Sequence, residues 1–412
     1  MIGGLAVGQT SIEGLLEGED VLATAAALRI LGVNVENVGV GKWRVQGLGV
    51  GGLQEPDTVL DMGNSGTAAR LLIGVLAAHP FNVTLSGDAS LSARPMARVT
   101  EPLALMGVDF QSRSGGRLPL TMSGRAELLP IEYQLPVASA QVKSAILLAG
   151  LAAAGITRVV EPKPTRDHTE LMLRHFGAQV DVEDLEDGSR AVSVHGQPEL
   201  TARDIIVPGD ISSAAFPMVA ALLVPGAKVN LAGVGINPLR AGVIETLREM
   251  GGIVVCENER LEAGEAVADL RIEGSLLHGV TVPASRAPSM IDEYPVLAVA
   301  AACAKGVSRF EGLGELRVKE SDRLSGMAQG LAACGVELEE GDDFLIIHGT
   351  GAPPRGGAKI ETALDHRIAM AFLVLGMASV EPVTIDDAGP IETSFPGFTE
   401  LMNGLGARIE EI

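Results

Sequence analysis

L-R-H-F-G-A, residues 173–178, closes a helix-like run on a glycine and opens a strand, and the chain repeats this device five more times. The other copies are A-L-R-I-L-G-V at Gly32, L-A-L-M-G-V at Gly107, L-R-E-M-G-G at Gly251, L-A-A-C-G-V at Gly335 and M-N-G-L-G-A at Gly406. Their period is roughly 75 residues, the mark of a repeated structural unit. Each glycine stands just past the last helical turn, where a left-handed cap is easiest for a residue without Cβ. A strand pair follows, as at residues 178–182 with 190–194, and 253–256 with 269–272.

Upstream of each glycine lies a second recurring element, a helix of small apolar residues leading into a strand. It reads G-T-A-A-R-L-L-I-G-V from Gly66, S-A-Q-V-K-S-A-I-L-L from Ser139, S-S-A-A-F-P-M-V from Ser212, I-D-E-Y-P-V-L-A from Ile291 and D-H-R-I-A-M-A-F from Asp365. These runs are apolar nearly all round, so they predict buried core helices. The unit is therefore β-α-β-α-β-β, and six units predict an α/β chain of two domains, 1–205 and 206–412, with three units each. The first unit is expected to be truncated. M-I-G-G-L-A-V-G matches only the tail of the small-residue helix, a deficit of about 20–30 residues against residues 207–226.

Composition narrows the function. The chain has 412 residues, 47% of them hydrophobic, enough for large cores. A net charge of −21 repels nucleic acid and anionic membrane surfaces, so neither is an expected partner, and any anionic ligand needs its cations gathered in one place. The longest apolar run, residues 145–157, falls short of the ~20 residues that span a bilayer, and the first residues carry no basic signal-peptide region. Cys256, Cys303 and Cys334 fit neither a metal spacing nor a disulfide framework, which predicts a reducing, cytoplasmic setting and no metal site. In their apolar surroundings they read as small hydrophobes.

The unusual polar residues fall at helix starts. Asn64-Ser65-Gly66-Thr67, Ser139-Ala140-Gln141, Asp210, Asp292-Glu293 and Asp365-His366-Arg367 open first helices, and Arg94, Arg166, Arg240 and Lys319-Glu320 open second ones. Serine, asparagine and aspartate there are ordinary caps. Arginine is not, because a cation opposes the positive end of the helix dipole, so Arg94, Arg166, Arg323 and Arg367 favour an external anion. Residues 314–324, G-E-L-R-V-K-E-S-D-R-L, concentrate three cations and three carboxylates. They suit an anion site that also needs an acid or base. They equally suit a solvated face with Glu315–Lys319 and Glu320–Arg323 pairs. Asp292 and Glu320 are the best acid/base candidates, although Asp292 could instead cap its helix, and His366 could be a satisfied hydrogen-bonding residue. No P-loop, dinucleotide fingerprint, serine elbow or Cys/His cluster is present.

Taken together, G-N-S-G-T-A-A-R-L, S-A-Q-V-K-S-A, I-D-E-Y-P, L-R-V-K-E-S-D-R-L, D-H-R-I-A-M and T-S-F-P resemble the 5-enolpyruvylshikimate-3-phosphate synthase family over the whole chain. The resemblance implies the enolpyruvyl transferase-like inside-out α/β fold, two domains of three units closing over the substrates. It implies transfer of the enolpyruvyl group of phosphoenolpyruvate to the 5-hydroxyl of shikimate 3-phosphate, with release of phosphate and no metal or organic cofactor. Residue by residue, it implies that Ser139, Ala140, Gln141 and Arg166 hold shikimate 3-phosphate, chiefly its phosphate. Asp292 and Lys319 contact its ring hydroxyls, with Asp292 taking the 5-hydroxyl proton. Gly66, Arg94, Gln141, Arg323 and Arg367 hold phosphoenolpyruvate, Glu320 transfers a proton at its methylene, and His366 supports the site. Gly66 leaves room for phosphoenolpyruvate mimics such as glyphosate.

The chain departs from the family pattern in two places. Glu392 stands where some members carry a lysine. The K-S-x-S-x-R motif and the strand before it are not in the sequence, so the expectation is that upstream sequence, or a separate peptide or chain, supplies them. The alternative expectation is an inactive or shikimate-3-phosphate-binding remnant of the same fold. A sugar-nucleotide enolpyruvyl transferase would bring a cysteine in a polar loop, and none of the three cysteines lies in one.

Overall fold

The computed structural model describes Met1–Ile412, and the chain divides into one compact unit of Met1–Val207 with Glu262–Glu265, and a second of Pro208–Leu261 with Ala266–Ile412. All six repeat glycines have positive φ, from +84° at Gly335 to +106° at Gly406. Each ends a helix: in the first unit α1 (Glu19–Ile30), α3 (Ala97–Leu105) and α5 (His168–His175), in the second α7 (Gly242–Glu249), α9 (Arg323–Ala333) and α11 (Phe398–Gly404). Between them lie the small-residue helices, α2 (Gly66–Leu76) and α4 (Ala140–Gly150), then α6 (Ile211–Leu223), α8 (Tyr294–Cys303) and α10 (His366–Ala378).

The sheets share one plan. Leu60–Asp61 pairs parallel with Asn82–Ser86, which pairs antiparallel with Arg117–Ser123, itself antiparallel to Asp109–Arg113. The same order recurs from Glu132–Gln134 to Val180–Asp184, and in the second unit from Thr281–Val282 to Glu337–Glu340. The first sheet also has four strands. Its leading position is filled by Ile205–Ile206, parallel to Val7–Glu13 with Ile12 opposite Ile205.

Two sheets depart from the predicted plan. In the fourth repeat the leading strand shrinks to a single parallel bridge, Gly209 to Val234, while the hairpin Ile253–Glu262 and Glu265–Glu273 runs well past the predicted residues 253–256 and 269–272. The arm Glu265–Glu273 alternates buried and half-buried positions over most of its length, and left-handed Ala263 and Gly264 make the turn. In the sixth repeat only Lys359–Ile360 and Thr384–Ile385 pair, so the expected antiparallel pair is missing from that sheet. There Asn403 bonds the backbone of Ile409 in both directions (2.8 and 2.9 Å) and holds the residues after α11 in irregular structure.

Strands such as Arg117–Ser123 alternate buried positions with exposed or half-buried ones, so one face of their sheet meets solvent. The small-residue helices have no such wet face. Every residue from Val142 to Gly150 of α4 and from Tyr294 to Ala302 of α8 is buried. Helices inside and sheets outside follow from that contrast, and alanine and glycine are abundant because helix backbones must approach closely at the centre. The contact between α2 and α4 is the tightest case. A Cβ on Gly74 would lie 2.8 Å from Ala145 Cα and closer still to the Ala145 carbonyl oxygen. Cys334 is buried and Cys256 and Cys303 partly so; burial pushes the Cys303 thiol up to about 12, out of reactive range. No helix is long and apolar enough to cross a membrane.

Gly74→Ala has no side chain to move aside, so the α2–α4 backbones themselves must separate. We expect a loss of about 1–3 kcal/mol in urea unfolding. A midpoint equal to that of the parent would show that the contact is looser than described.

Candidate active site

In the second unit the charged groups converge on two helix starts and one turn. Asp365 caps α10, its Oδ1 accepting from the Arg367 and Ile368 amides (2.9 and 3.5 Å). Its Oδ2 accepts from Ser321 Oγ (2.9 Å) and from Arg323 Nε (2.8 Å). Arg323, the first residue of α9, is 1% exposed; its Nη1 reaches Asp292 Oδ1 at 3.1 Å, and Nη2 pairs with Glu320. Lys319 Nζ lies 3.4 Å from the same Asp292 oxygen and 2.7 Å from Glu315. Arg367 Nη1 donates to the Asp292 carbonyl (2.9 Å) and to Ser212 Oγ (2.7 Å). The backbone before Asp365 is strained to achieve this: Ala363 and Leu364 are both left-handed, at φ +51° and +59°. Thr362 anchors that turn through two bonds to Asp386 (2.6 and 3.0 Å).

In the first unit the α2 and α4 starts are joined side to side. Ser65 and Ser139 cap them, and Gln141 bridges them, accepting from Arg70 Nη1 (2.9 Å) and donating to Thr67 Oγ1 (2.8 Å). Arg94 follows the short helix Ala89–Ala93 and donates to Asn64 Oδ1 (3.0 Å) and Ser90 Oγ (3.1 Å). Asn64 in turn bonds Asp88 at 2.8 Å. Arg166 lies on the connection 162–167 that enters α5.

The sequence-derived site residues thus form two sets. Asp292, Lys319, Glu320, Arg323 and Arg367 are linked directly, with His366 beside Arg367 at the start of α10. Gly66 and Gln141 are linked through Arg70, while Ser139, Ala140 and Arg94 stand at the neighbouring helix ends. Both pairs read from residues 314–324 occur, yet their cations also reach Asp292, so the stretch is a solvated face and part of the cluster at once. Two expectations are corrected: Arg94 closes Ala89–Ala93, where a cation suits the helix dipole, instead of opening α3, and Lys319 and Glu320 do not open a helix. Gly314–Val318 is a 3-10 turn and the helix begins at Arg323, because Asp322 is the residue that caps it, accepting from the Ser325 amide at 3.0 Å. Asp292 sits in the 3-10 turn Ile291–Glu293 and makes no capping bond.

Arg70, Glu293 and Asp365 complete the clusters and were not singled out as site residues. Arg70 is one turn beyond Gly66 on an otherwise apolar helix, and a lone cation there was the available signal. Glu293 is fully buried, bonded to Ser212 and within 3.8 Å of Arg240 and 3.7 Å of Arg367. No group of three or more His, Cys, Asp or Glu side chains is placed to hold a metal ion.

Electrostatics separates the carboxylates. Burial opposes ionisation of Asp292, but Arg367, Lys319, Arg323 and Arg240 outweigh it and bring its pKa down to about 2. Asp365 is likewise lowered, its burial overcome by Arg323 and the bonds it accepts. Glu293 goes the other way, because its burial exceeds what Arg240 and Arg367 return. Burial, then Arg367, lowers His366, which keeps the ring neutral at pH 7. Arg70 is lowered by burial and then by repulsion from Arg94 and Arg98, the mark of cations crowded together without enough counter-charge.

The family model described as EPSP synthase (3-phosphoshikimate 1-carboxyvinyltransferase) matches residues 1–402. A 3-phosphoshikimate 1-carboxyvinyltransferase of Paramagnetospirillum magneticum is 63% identical over 409 residues, 99% of this chain and 92% of that protein. Its counterpart in Rhodospirillum rubrum is 60% identical over 416 residues, covering 100% and 92%. Among solved structures, EPSP synthase from Acinetobacter baumannii superposes with a TM-score of 0.93 at 48% identity, over 99% of this chain and 92% of that one. The enolpyruvyl transferase NikO from Streptomyces tendae shares the fold, with a TM-score of 0.72 at 20% identity over 99% of this chain and 91% of that one.

The depressed Asp292 predicts an acid-side signature. A carboxylate whose folded pKa lies below its unfolded value near 4 stabilises the fold fully above that value, and the contribution vanishes as pH falls towards 2. The parent should therefore lose its lead over Asp292→Asn, on the order of 2 kcal/mol, between about pH 4 and pH 2. Urea midpoints measured across that range check it; a lead that stays constant would contradict the charge pairing.

Proposed function

The chain belongs to the EPSP synthase family, and from that membership we propose how its two charged clusters divide the work of enolpyruvyl transfer. The reaction takes phosphoenolpyruvate and shikimate 3-phosphate to 5-enolpyruvylshikimate 3-phosphate and phosphate, a step of aromatic amino acid biosynthesis. An enol phosphate carbon is a poor electrophile until its methylene gains a proton. Addition of the 5-hydroxyl then forms the new C–O bond, and loss of a proton from the resulting methyl group, together with the phosphate, restores the double bond. Both substrates are anions, so the site needs gathered cations, and the chemistry needs one group to take the hydroxyl proton and one to serve the methylene.

The observation that carries the reading is Asp292, a carboxylate held among Lys319, Arg323 and Arg367. With a pKa of about 2 it is a weak base while those cations are unoccupied. Anionic substrates that occupy the cations weaken their hold, so the basicity of Asp292 rises when the 5-hydroxyl proton is to be taken. Asp292 and Lys319 are assigned to the ring hydroxyls, Glu320 to proton transfer at the methylene, and His366, neutral, to support of the site. Ser139, Ala140, Gln141 and Arg166 are assigned to shikimate 3-phosphate. The same reading gives phosphoenolpyruvate to Gly66, Arg94, Gln141, Arg323 and Arg367.

Phosphate release measures turnover, with and without a peptide carrying the K-S-x-S-x-R sequence that the resemblance implies. Asp292→Asn is expected to lower kcat by about 10²–10⁴ while shikimate 3-phosphate affinity changes less than about tenfold. Glu320→Gln should slow deuterium uptake into the phosphoenolpyruvate methylene by a similar factor. Normal uptake in that variant would remove Glu320 from proton transfer.

A Cβ at Gly66 would stand 2.9 Å from Arg70 Nη1 and 3.3 Å from Arg94 Nη1, near enough to press on both guanidiniums. Gly66→Ala is expected to weaken glyphosate more than phosphoenolpyruvate. Inhibition constants set against KM give the ratio, and equal losses would count against Gly66 lining that subsite.

A further inference from the structure

Lys143 is fully buried on α4, a helix whose other buried residues are apolar apart from Ser144, and a buried ammonium persists only with close partners. Its partners come from three separate places. Nζ lies 3.2 Å from Glu161 Oε1 at the end of strand Ile156–Glu161 and 2.7 Å from Glu170 Oε1 in the first turn of α5. It also donates to the Thr165 carbonyl at 3.4 Å, in the connection 162–167. Thr165 Oγ1 closes the arrangement by donating to the second Glu161 oxygen at 2.6 Å. A second link, Ser144 Oγ with Thr169 Oγ1 at 2.7 Å, joins α4 to the start of α5.

We propose that Lys143 is a positioning residue: through Glu161 and Thr165 it fixes the connection bearing Arg166 against the helix start bearing Ser139, Ala140 and Gln141. The two sides of the phosphate site thereby keep one spacing. The proposal rests on the assignment of those four residues to the phosphate of shikimate 3-phosphate. Thr165 is the immediate neighbour of Arg166, and both its carbonyl and its hydroxyl are bound into the buried cluster. The backbone one residue from Arg166 is therefore set by Lys143 and Glu161. Lys143 does not act on the phosphate as a free charge, because two carboxylates surround it. Burial raises Glu170 more than Lys143 lowers it, which favours one shared proton and a cluster of little net charge.

The test compares shikimate 3-phosphate with shikimate, which lacks the phosphate, by titration calorimetry on the 412-residue chain. The readout is the preference for the phosphorylated ligand. Thr165→Val keeps the shape and removes the hydroxyl bond to Glu161. It should lower the preference by about five- to tenfold, with shikimate affinity within about twofold of the parent. Thr165→Ser, which retains the hydroxyl, should restore the preference. Lys143→Met should lower it further. In an Arg166→Ala background, Thr165→Val should add nothing, because the effect runs through Arg166.

Should Arg166→Ala alone leave the preference unchanged, the phosphate assignment is wrong and the proposal falls with it. A loss on Arg166→Ala together with parental preference in Thr165→Val overturns the positioning role alone. Full additivity in the double variant does the same. Thr165→Val decides the matter even where Lys143→Met fails to fold.

Discussion

A guanidinium that is 1% exposed sets the terms for the second unit. Removing the charge of Arg323 from water costs several kcal/mol unless close partners return it, so the surrounding structure must deliver carboxylates to it. Asp365 serves Nε, Asp292 serves Nη1, and Glu320 serves Nη2. Asp365 is also the cap of α10, so the same carboxylate orients the amides of that helix and the arginine of α9. The strained residues Ala363 and Leu364 become intelligible in this light. Left-handed backbone at two side-chain-bearing residues costs on the order of 1 kcal/mol each, and it sets Asp365 where both duties are met.

The wider charge distribution follows the same logic. A chain of net charge −21 gathers cations where it needs them, matched by carboxylates in the second unit and crowded by one another in the first. Arg70, Arg94 and Arg98 repel one another in the first unit, and Lys319, Arg323 and Arg367 share Asp292 in the second. Such crowding disfavours the empty state and favours an anionic occupant. Asp292 is the group most sensitive to that change, since its basicity is held down by the charges that a ligand would occupy.

Much of the fold was legible because one constraint recurs. A glycine must follow each second helix if the chain is to turn left-handed there, and six such glycines spell out six units. The small-residue helices were legible for a related reason: a helix buried on all sides cannot hide its lack of a polar face. What escaped the sequence depends on partners far along the chain. Ile205–Ile206 carries no mark that it completes the sheet of Val7–Glu13. The start of α9 was misplaced because Lys319-Glu320 and Asp322-Arg323 offer similar local signals, and only the preceding 3-10 turn separates them. In the site, motif residues were recoverable one at a time. Arg70 and Glu293 were not, because their roles exist only through Gln141 and through Ser212 and Arg240.

The contact at Gly74 has a consequence for motion. With no side chain between them, α2 and α4 cannot slide or open independently without losing the backbone contact, and Gln141 ties their first turns through Arg70 and Thr67. Local opening of one start therefore entails the other, and the amides there exchange with solvent as one cooperative unit with a single opening free energy. An anion that orders either helix start slows exchange at both, so the pair reports occupancy from residues that the ligand does not touch.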